Sequence, residues 1–417
     1  MKKNKNLISA LDIGSSKLSC MQTITDNNGI TKVLGFSIIA TKGIKSGIVT
    51  DFNLASECIL KAINDCEKQS GETIKELTVS ISSHKCFTKI IRSKVEIKDE
   101  KVTENDIQAC INKTLEDDYL FDKKVINISP MDHIIDKADG ITNPIDMYGN
   151  ELEIDFLLTC IGINHYKNYV KSITSCNVDI YRIVFSNFAA GHAVLNEYEL
   201  DLGSVIVDMG ARTTSLGMFS KNSFIFSDVI PFGGNNITEA IARKLSITFE
   251  EAEKLKVMQA SVLDASQEEE MFLEKPSINF ENEKNFIQVT RRNLHDIVKP
   301  FYEELLKWIY QTIKSSGNVN LIGKVLVFTG GASQIDGLSI LANNMYNYNS
   351  IIATAKNLMF NSHHTLDASH SVTAGLIQNE LNIISKNKIG FTRHKELKLE
   401  KKRSFSLIKN WLEENFF

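Results

Sequence analysis

Cysteine and proline are scarce in this sequence, and neither residue forms a recognisable framework. The 417 residues include 7 cysteines and 5 prolines, and no two cysteines are spaced as C-x-x-C. An odd, scattered set of cysteines excludes a disulfide scaffold or a zinc ribbon and favours reduced thiols in a cytosol. With 22 glycines and 43% hydrophobic residues, the composition also excludes collagen-like and disordered classes. We therefore expect two to four globular domains.

Long apolar runs and an excess of positive charge are missing too. No segment approaches the roughly 20 apolar residues that cross a bilayer, so any membrane contact is expected to be peripheral. The apolar run that follows Lys2, Lys3 and Lys5 stops at Asp12 and is too short for a signal peptide. A formal net charge of −4 disfavours a general nucleic-acid binder, and we predict no nucleic-acid partner.

The sequence does contain an alternation of strand and helix patterns in which one motif occurs twice. An apolar strand at 7–13, a polar glycine-containing tip and a second strand at 18–25 predict a β-hairpin. The same order returns at 204–219. Both copies contain Asp-x-Gly, as Asp12-Ile13-Gly14 and Asp208-Met209-Gly210. The recurrence favours an α/β protein with duplicated domains.

Apolar residues at helical spacing define the longer helices, and one segment stands apart as an inserted unit. The spacing predicts helices at 52–70, 189–197, 237–258, 294–316 and 371–381. Residues 86–162 combine three strand patterns with a helix after Thr103. The Thr-x-x-Asp start of that helix, Thr103 and Asp106, resembles a capping box.

Three glycine-bearing turns that follow strands are the candidates for chemistry. They begin at Gly14, Gly210 and Gly330. Glycine lets backbone N–H groups approach an anion, and Ser or Thr hydroxyls add donors, so each turn suits a phosphate. Asp12 and Asp208 precede two of the turns and suit the water shell of a magnesium ion. A single turn is better explained as a structural one, but three in this order favour a nucleotide site.

The same motifs resemble a known superfamily. Residues 11–17, 207–210, 232–235 and 328–332, in this order, look like the actin, Hsp70 and sugar-kinase superfamily, and within it the FtsA family of bacterial cell-division proteins. Further segments favour that family: Gly43–Val49, Val102–Ile107, Asn143-Pro144 and the tail with Trp411. The resemblance extends from Leu7 to Phe417.

The resemblance implies an α/β, actin-like two-domain fold with an inserted α+β subdomain and a C-terminal amphipathic helix. Domain 1 would comprise 1–85, 163–202 and a return at 359–385, and the insertion would be 86–162. Domain 2 would be 203–358, with a helical subdomain at about 232–318, followed by a basic linker at 386–403 and a terminal helix at 404–417.

The resemblance also implies the residues of an ATP site. The phosphate loops would contain Asp12, Gly14, Ser15, Ser16, Lys17, Asp208, Gly210 and Thr213, with magnesium held by Asp12 and Asp208 through water. The adenosine end would be lined by Gly233, Gly234, Glu253, Lys256, Gly330, Gly331 and Ala332. Glu253 and Lys256 stand three apart, which suits a single ribose but equally suits a solvated ion pair.

The second phosphate loop departs from the family pattern. Where relatives usually have Gly-Gly-Gly-Thr-Thr-Asp, this chain has residues 210–215 as Gly-Ala-Arg-Thr-Thr-Ser. Arg212 would either hold the terminal phosphates or point into solvent. Residues 185–191 supply no carboxylate or glutamine to activate water, so hydrolysis, if any, is expected to be slow.

The tail predicts a membrane contact from its own pattern. At helical spacing its apolar side collects Phe405, Ile408, Trp411, Leu412 and Phe416. Residues 386–403 carry a net charge of +6 and end in Lys402 and Arg403, which suits anionic lipid. A terminal helix docked on the body is the alternative. The family resemblance favours the membrane.

The resulting prediction is an ATP-binding adaptor that polymerises and tethers FtsZ to the cytoplasmic face of the inner membrane at the division site. Its partners would be FtsZ, further copies of itself, anionic lipid, and other division proteins through the inserted subdomain. The alternatives are a pilus-assembly adaptor resembling this family and a kinase-like phosphoryl-transfer enzyme. His363, His364 and His370 are expected to be loop histidines, and Phe301 and Trp308 to be core residues.

Overall fold

The computed structural model describes residues 6–26, 29–263, 270–274, 286–356, 358–360 and 366–390. The strands are β1 (Asn6–Ile13), β2 (Lys17–Thr25), β3 (Thr31–Ala40), β4 (Ile44–Lys45), β5 (Ile48–Val49), β6 (Glu76–Ile81), β7 (Cys86–Glu96), β8 (Lys123–Ile135), β9 (Glu151–Gly162), β10 (Asp179–Phe185), β11 (Ser204–Met209), β12 (Thr214–Ser220), β13 (Ser223–Ile230), β14 (Glu270–Glu274), β15 (Phe286–Thr290), β16 (Val325–Thr329), β17 (Asn349–Ile352) and β18 (Met359–Phe360). The helices are α1 (Phe52–Ser70), α2 (Glu104–Leu115), α3 (Ile163–Thr174), α4 (Ser186–Val194), α5 (Glu197–Leu202), α6 (Gly234–Leu245), α7 (Phe249–Gln259), α8 (Arg291–Ser315), α9 (Leu338–Tyr346) and α10 (Ser371–Gly390).

Two sheets repeat one plan. The first has the order β10-β6-β1-β2-β3-β18, and the second has the order β13-β12-β11-β16-β17. In each sheet three consecutive strands form an antiparallel meander, and the first of them pairs in parallel with a later strand, β6 or β16. The parallel order continues to β10 in one sheet and to β17 in the other. The predicted duplication of the strand plan and the α/β class are confirmed.

Helices cover the sheets because their apolar stripes match the buried faces. Helix α1 buries Ala55, Ile59 and Ile63 in one core cluster of the first sheet. Asp51 caps its start by accepting the N–H of Leu54 at 3.0 Å, and Gly71 ends it in a left-handed conformation. These signals explain why α1 has the predicted bounds. On the same sheet, α4 and α10 bury a second cluster.

The second sheet is packed against the longer helices α6, α7 and α8 and against α9. Helix α8 contributes the buried residues Tyr302, Leu305 and Ile309. Phe301 and Trp308, which were expected in the core, are partly buried against it and contact Phe232, with ring centroids at 6.1 and 5.5 Å.

The inserted unit is a separate antiparallel sheet with the order β7-β9-β8, covered by α2. Its core contains Ile107, Ile154 and Phe156. The predicted capping box is present, since Asp106 Oδ2 accepts the N–H of Thr103 at 2.8 Å. The unit therefore contains its own small core, as expected of an insertion between β6 and α3.

Helix α8 begins three residues earlier than predicted, and three other helices differ more from the predictions. The single helix predicted at 237–258 is two helices, because Ser246 adopts a left-handed φ of 53° and Thr248 caps α7. The predicted helix at 189–197 is α4 followed by a separate α5, with Asn196 as its cap. Helix α10 continues to Gly390, so the first residues of the predicted linker at 386–403 are helical.

The rest of the linker and the predicted membrane residues, from Lys402 to Phe416, lie outside the described residues, as do His363 and His364. Among the helices that the structure describes, none is long and apolar enough to cross a membrane.

Candidate functional site

A cavity of about 1130 Å³ is lined by both halves of the chain. Every residue predicted for the nucleotide site lines it except Gly233: Asp12, Gly14, Ser15, Ser16, Lys17, Asp208, Gly210, Thr213, Gly234, Glu253, Lys256, Gly330, Gly331 and Ala332. Gly233 instead packs against the second turn, where a Cβ would overlap the carbonyls of Gly210 and Ala211. The structure thus brings together residues that are up to about 320 positions apart in the sequence.

The two hairpin turns have the same backbone geometry. Ile13 pairs with Leu18 and Met209 pairs with Thr214, so each turn contains four residues between the paired strands. The first N–H of each turn donates to the fourth carbonyl. The distances are 3.0 Å from Gly14 N to Lys17 O and 2.9 Å from Gly210 N to Thr213 O. Both turns line the cavity, and glycine at the first position keeps each turn tight, because a Cβ would lie 2.8 Å from Lys17 O at Gly14 and 3.0 Å from Thr213 O at Gly210.

Two carboxylates stand at corresponding places just before these turns. Asp12 accepts a hydrogen bond from Ser80 Oγ at 2.6 Å, and burial raises its pKa. Burial, with the charge of Asp12, raises the pKa of Asp208 to about 7. Both shifts show that a nearby cation would be stabilising, because it would favour the charged carboxylates. Oxygen ligands of this kind suit a hydrated magnesium ion.

Gly330 packs its backbone against Asp208. It has φ 86° and ψ 162°, a conformation that is restricted almost entirely to glycine. A Cβ at this position would overlap Asp208 Oδ1 and the backbone of Met209. The N–H of Gly330 donates to the carbonyl of Ala368 at 2.9 Å, which joins the third turn to the start of α10.

Lys17 is held by the turn that precedes α10. Its Nζ donates to Ser369 Oγ at 2.5 Å and lies 3.3 Å from His370 Nδ1. Burial lowers the pKa of Lys17, and burial together with the Lys17 charge lowers the pKa of His370 to about 4. His370 is therefore neutral at pH 7, and its Nδ1 accepts. The expectation of a loop histidine was wrong: His370 is buried in the helical turn that precedes α10.

Lys256 and Glu253 form a network with α6. Lys256 Nζ donates to Glu253 Oε2 and Thr238 Oγ1, each at 2.7 Å, and to Gly234 O at 3.1 Å. Thr238 also donates to Glu253. Burial lowers the pKa of Lys256. The two residues do form the ion pair that was the alternative, with Lys256 buried and the Glu253 side chain 39% exposed.

Arg212 lines the cavity and does not simply point into solvent. Its Nη1 lies 3.8 Å from Oε1 of Glu239 on α6, and its side chain is 30% exposed. Glu239 was not predicted for the site.

Several other lining or supporting residues were missed because they lie far away in the sequence. Ser80 is 68 positions from Asp12, and Ser369 is 352 positions from Lys17. The Asp367-Ala368-Ser369 segment gave a weak signal, since Asp and Ser before a helical pattern are typical of caps. Asp367 does cap this turn, accepting the N–H of Ser369 at 2.8 Å.

Across the described ranges, no three His, Cys, Asp or Glu side chains form a metal cluster.

Comparisons with known proteins show which family the chain resembles. The family model described as cell division protein FtsA matches residues 205–375, and the one described as the SHS2 domain inserted in FtsA matches residues 87–160. The second match falls on the sheet β7-β9-β8 and α2. Together the two models match more than half of the chain.

Individual relatives extend the match to nearly the whole length. Cell division protein FtsA of Buchnera aphidicola subsp. Baizongia pistaciae is 29% identical over 98% of this chain and 96% of its own. Those of Agrobacterium fabrum and Escherichia coli K12 are 28% and 24% identical, over 81% and 90% of this chain and 78% and 90% of their own.

Solved structures with a similar fold confirm the predicted actin-like fold. A PilM–PilN type IV pilus biogenesis complex has a TM-score of 0.65 at 14% identity, covering 90% of this chain and 98% of that chain. MreB5 of Spiroplasma citri bound to ADP has a TM-score of 0.53 at 14% identity, covering 92% and 99%. With its duplicated sheets, its inserted unit and the motifs at 205–375, the chain belongs to the FtsA family of cell-division proteins.

Proposed function

We propose that this chain binds ATP with magnesium in the cavity between its two halves and acts in cell division as a membrane-bound adaptor for FtsZ. One observation carries the nucleotide proposal. Asp12 and Asp208 stand at matching positions before two equivalent turns, and both face one cavity. A duplicated pair of this kind suits a ligand with several phosphates and a divalent cation.

The residues of the cavity divide between the parts of this ligand. Asp12 and Asp208 would hold magnesium through water, and the two turns would donate N–H and hydroxyl groups to phosphates. Lys17 would add a positive charge. Gly234, Glu253, Lys256 and the third turn, residues 330–332, would contact adenosine. Magnesium supplies charge neutralisation of the phosphates when bound. The ADP and AMPPNP complexes of Spiroplasma citri MreB5 support a nucleotide in this fold.

Hydrolysis would be slow. Asn187, the amide in the segment 185–191, donates to Leu216 O at 2.7 Å and to Ser227 Oγ at 3.1 Å, so it supports the packing of α4 rather than a water in the cavity. We therefore expect the bound nucleotide to act mainly as a link between the two halves. Holding them together would favour contacts between copies of the chain in a filament.

The adaptor role is supported by the family and by the sequence pattern of the tail. Many copies in a polymer would each present a weak membrane helix, and together they would bind lipid tightly. FtsZ would bind the polymer, and other division proteins would bind the inserted unit. The alternative of a pilus adaptor has the support of a shared fold alone, at 14% identity, whereas the family models favour cell division.

Co-sedimentation with vesicles tests the membrane proposal. The purified full chain is mixed with anionic vesicles with and without magnesium-ATP, beside Trp411→Glu, in which a charge enters the predicted apolar side. Asn410→Glu adds the same charge on the predicted polar side and is the matched control. We expect the wild type and Asn410→Glu to pellet, with ATP increasing the fraction, and Trp411→Glu to stay in solution.

Added FtsZ extends the same experiment. It should pellet only where the chain pellets. FtsZ left in solution beside pelleted chain would contradict the tether. Equal pelleting of Trp411→Glu and wild type would contradict the membrane helix. If the pelleted fraction is the same with and without ATP, the result would support the membrane tether and contradict its control by the nucleotide.

A further inference from the structure

The two equivalent turns each contain one cationic side chain. Lys17 occupies the fourth position of the first turn, and Arg212 occupies the third position of the second. Both residues line the cavity that contains Asp12 and Asp208. The second turn therefore offers the ligand a cation where the first turn offers the hydroxyl of Ser16.

The partners of the two cations differ. Lys17 is held by Ser369 and His370, with His370 neutral at pH 7. Arg212 faces the carboxylate of Glu239 at 3.8 Å, where both side chains are about one-third exposed. An ion pair that is long and partly solvated contributes little, so Glu239 holds Arg212 loosely. A stronger anion can displace it.

The turn itself is held rigidly under Arg212. The N–H groups of Gly234 and Asn235 at the start of α6 donate to the carbonyls of Gly210 and Ala211, at 3.0 and 2.7 Å. These bonds fix the backbone next to Arg212, so its side chain extends from a defined place. A phosphate contact would therefore lose little backbone entropy.

We propose that Arg212 exchanges Glu239 for the terminal phosphate of ATP. The inference rests on the proposed nucleotide site. A terminal phosphate carries nearly two negative charges, whereas Glu239 carries one, so the exchange gains electrostatic energy. The last phosphate of ADP carries a similar charge, so the expected difference between the nucleotides rests on position: ADP lacks the third phosphate that we place at Arg212. A guanidinium also binds phosphate oxygens in a bidentate way, and its N–H groups replace donors that a glycine turn would supply.

Binding of ATP and ADP by the full chain tests this role. Equilibrium dialysis with radiolabelled nucleotides and magnesium is carried out on wild type, Arg212→Ala, Arg212→Lys and Glu239→Gln. Arg212→Ala should weaken ATP binding about tenfold or more, and ADP binding less than about threefold. The ATP affinity of Arg212→Lys should lie between those of wild type and Arg212→Ala, because lysine keeps the charge but cannot bind the phosphate in a bidentate way. Glu239→Gln should bind ATP at least as tightly as wild type.

Arg243→Ala is the matched control. Arg243 lies 4.0 Å from the other oxygen of Glu239, but its side chain is 83% exposed and it does not line the cavity. The variant removes the same charge and a contact with the same Glu239, and should bind both nucleotides as wild type does. Thermal unfolding of all variants checks that they are folded.

Three results would overturn the inference: equal losses of ATP and ADP binding in Arg212→Ala, equal losses in Arg212→Ala and Arg243→Ala, or weaker ATP binding in Glu239→Gln. If the folded wild type binds neither nucleotide, the proposed function fails as well. That result is distinct, because all variants would then look alike.

Discussion

Asp12 and Asp208 occupy corresponding positions in the two halves of the chain, yet their surroundings differ. Asp12 accepts a hydrogen bond from Ser80, whereas Asp208 faces the backbone of Gly330 and, within the part of the chain that the structure describes, its carboxylate accepts no hydrogen bond. Burial raises the pKa of both, to about 7 for Asp208. The duplication thus preserved the backbone plan of strand, turn and strand, while the side chains around the carboxylates diverged. Because the two sites differ, they can be altered separately.

The largest effect is expected where Gly330 contacts Asp208. Gly330→Ala introduces a Cβ that overlaps Asp208 and Met209 in a backbone region that alanine avoids. We expect a loss of about 3 kcal/mol or more in the free energy of unfolding. Urea titration measures it. Gly331→Ala is the control, since its Cβ would meet only Ser369 Cβ, at 3.6 Å. Similar losses in the two variants would mean that Gly330 is not specially constrained.

Asp208→Asn removes the carboxylate with the raised pKa. Because its folded pKa of about 7 lies above the usual 3.8, the wild type loses stability as pH rises between these values. We expect the variant to be more stable than wild type by about 2 to 4 kcal/mol at pH 8, and similar at pH 4. Its magnesium-dependent ATP binding should fall. If the variant is less stable than wild type at pH 8, burial of the Asp208 carboxylate does not raise its pKa as argued.

His370→Gln should show the opposite pH dependence. The folded pKa of His370, about 4, lies below the usual 6.5, so the wild type loses stability as pH falls from about 6.5 towards 4. Glutamine does not titrate and can still accept from Lys17. Relative to this variant, the wild type should lose about 2 kcal/mol between pH 7.5 and 4.5. Urea midpoints across this range measure the difference. If the urea midpoints of wild type and His370→Gln change in parallel with pH, His370 is not a buried neutral acceptor.

Ser80→Ala makes the first half resemble the second, because Asp12 then lacks its donor. Ser80 also accepts the N–H of Ile13 at 3.2 Å, so we expect a loss of about 1 to 2 kcal/mol at pH 8. The loss should shrink at pH 4, where Asp12 can take up a proton more readily. Ser82→Ala is the control, since Ser82 contacts Ser215 and no carboxylate. If both variants lose the same free energy of unfolding, the hydrogen bond from Ser80 does not specifically stabilise Asp12.

Much of the fold could be predicted because the signals were local. Helix α1 has strong apolar spacing, a capping Asp51 and a terminal Gly71, and its bounds were found. The break between α6 and α7 was missed, because a left-handed Ser246 leaves no mark in the apolar pattern. The short strands β4, β5, β17 and β18 were also missed, since strands of two to four residues show too little alternation.

The site was predicted in its turns but not in its supports. Glycine, Asp and Ser follow one another in the turns, so the motif is visible in the sequence. Glu239 and Ser369 reach the cavity from α6 and from the turn before α10, and only the packing of helices on two sheets places them there. Position in space, rather than residue type, decided these contacts. The sequence alone does not decide whether Arg212 contacts a ligand or points into solvent, because its neighbour Glu239 comes from α6.

The most direct test is ATP binding by the full wild-type chain, measured by equilibrium dialysis with and without magnesium, beside a chain with Asp12→Asn and Asp208→Asn together. We expect one ATP per chain, bound more tightly with magnesium, and loss of that magnesium effect in the double variant. No saturable ATP binding by the folded wild type, or an unchanged magnesium effect in the double variant, would contradict a nucleotide held between the two halves.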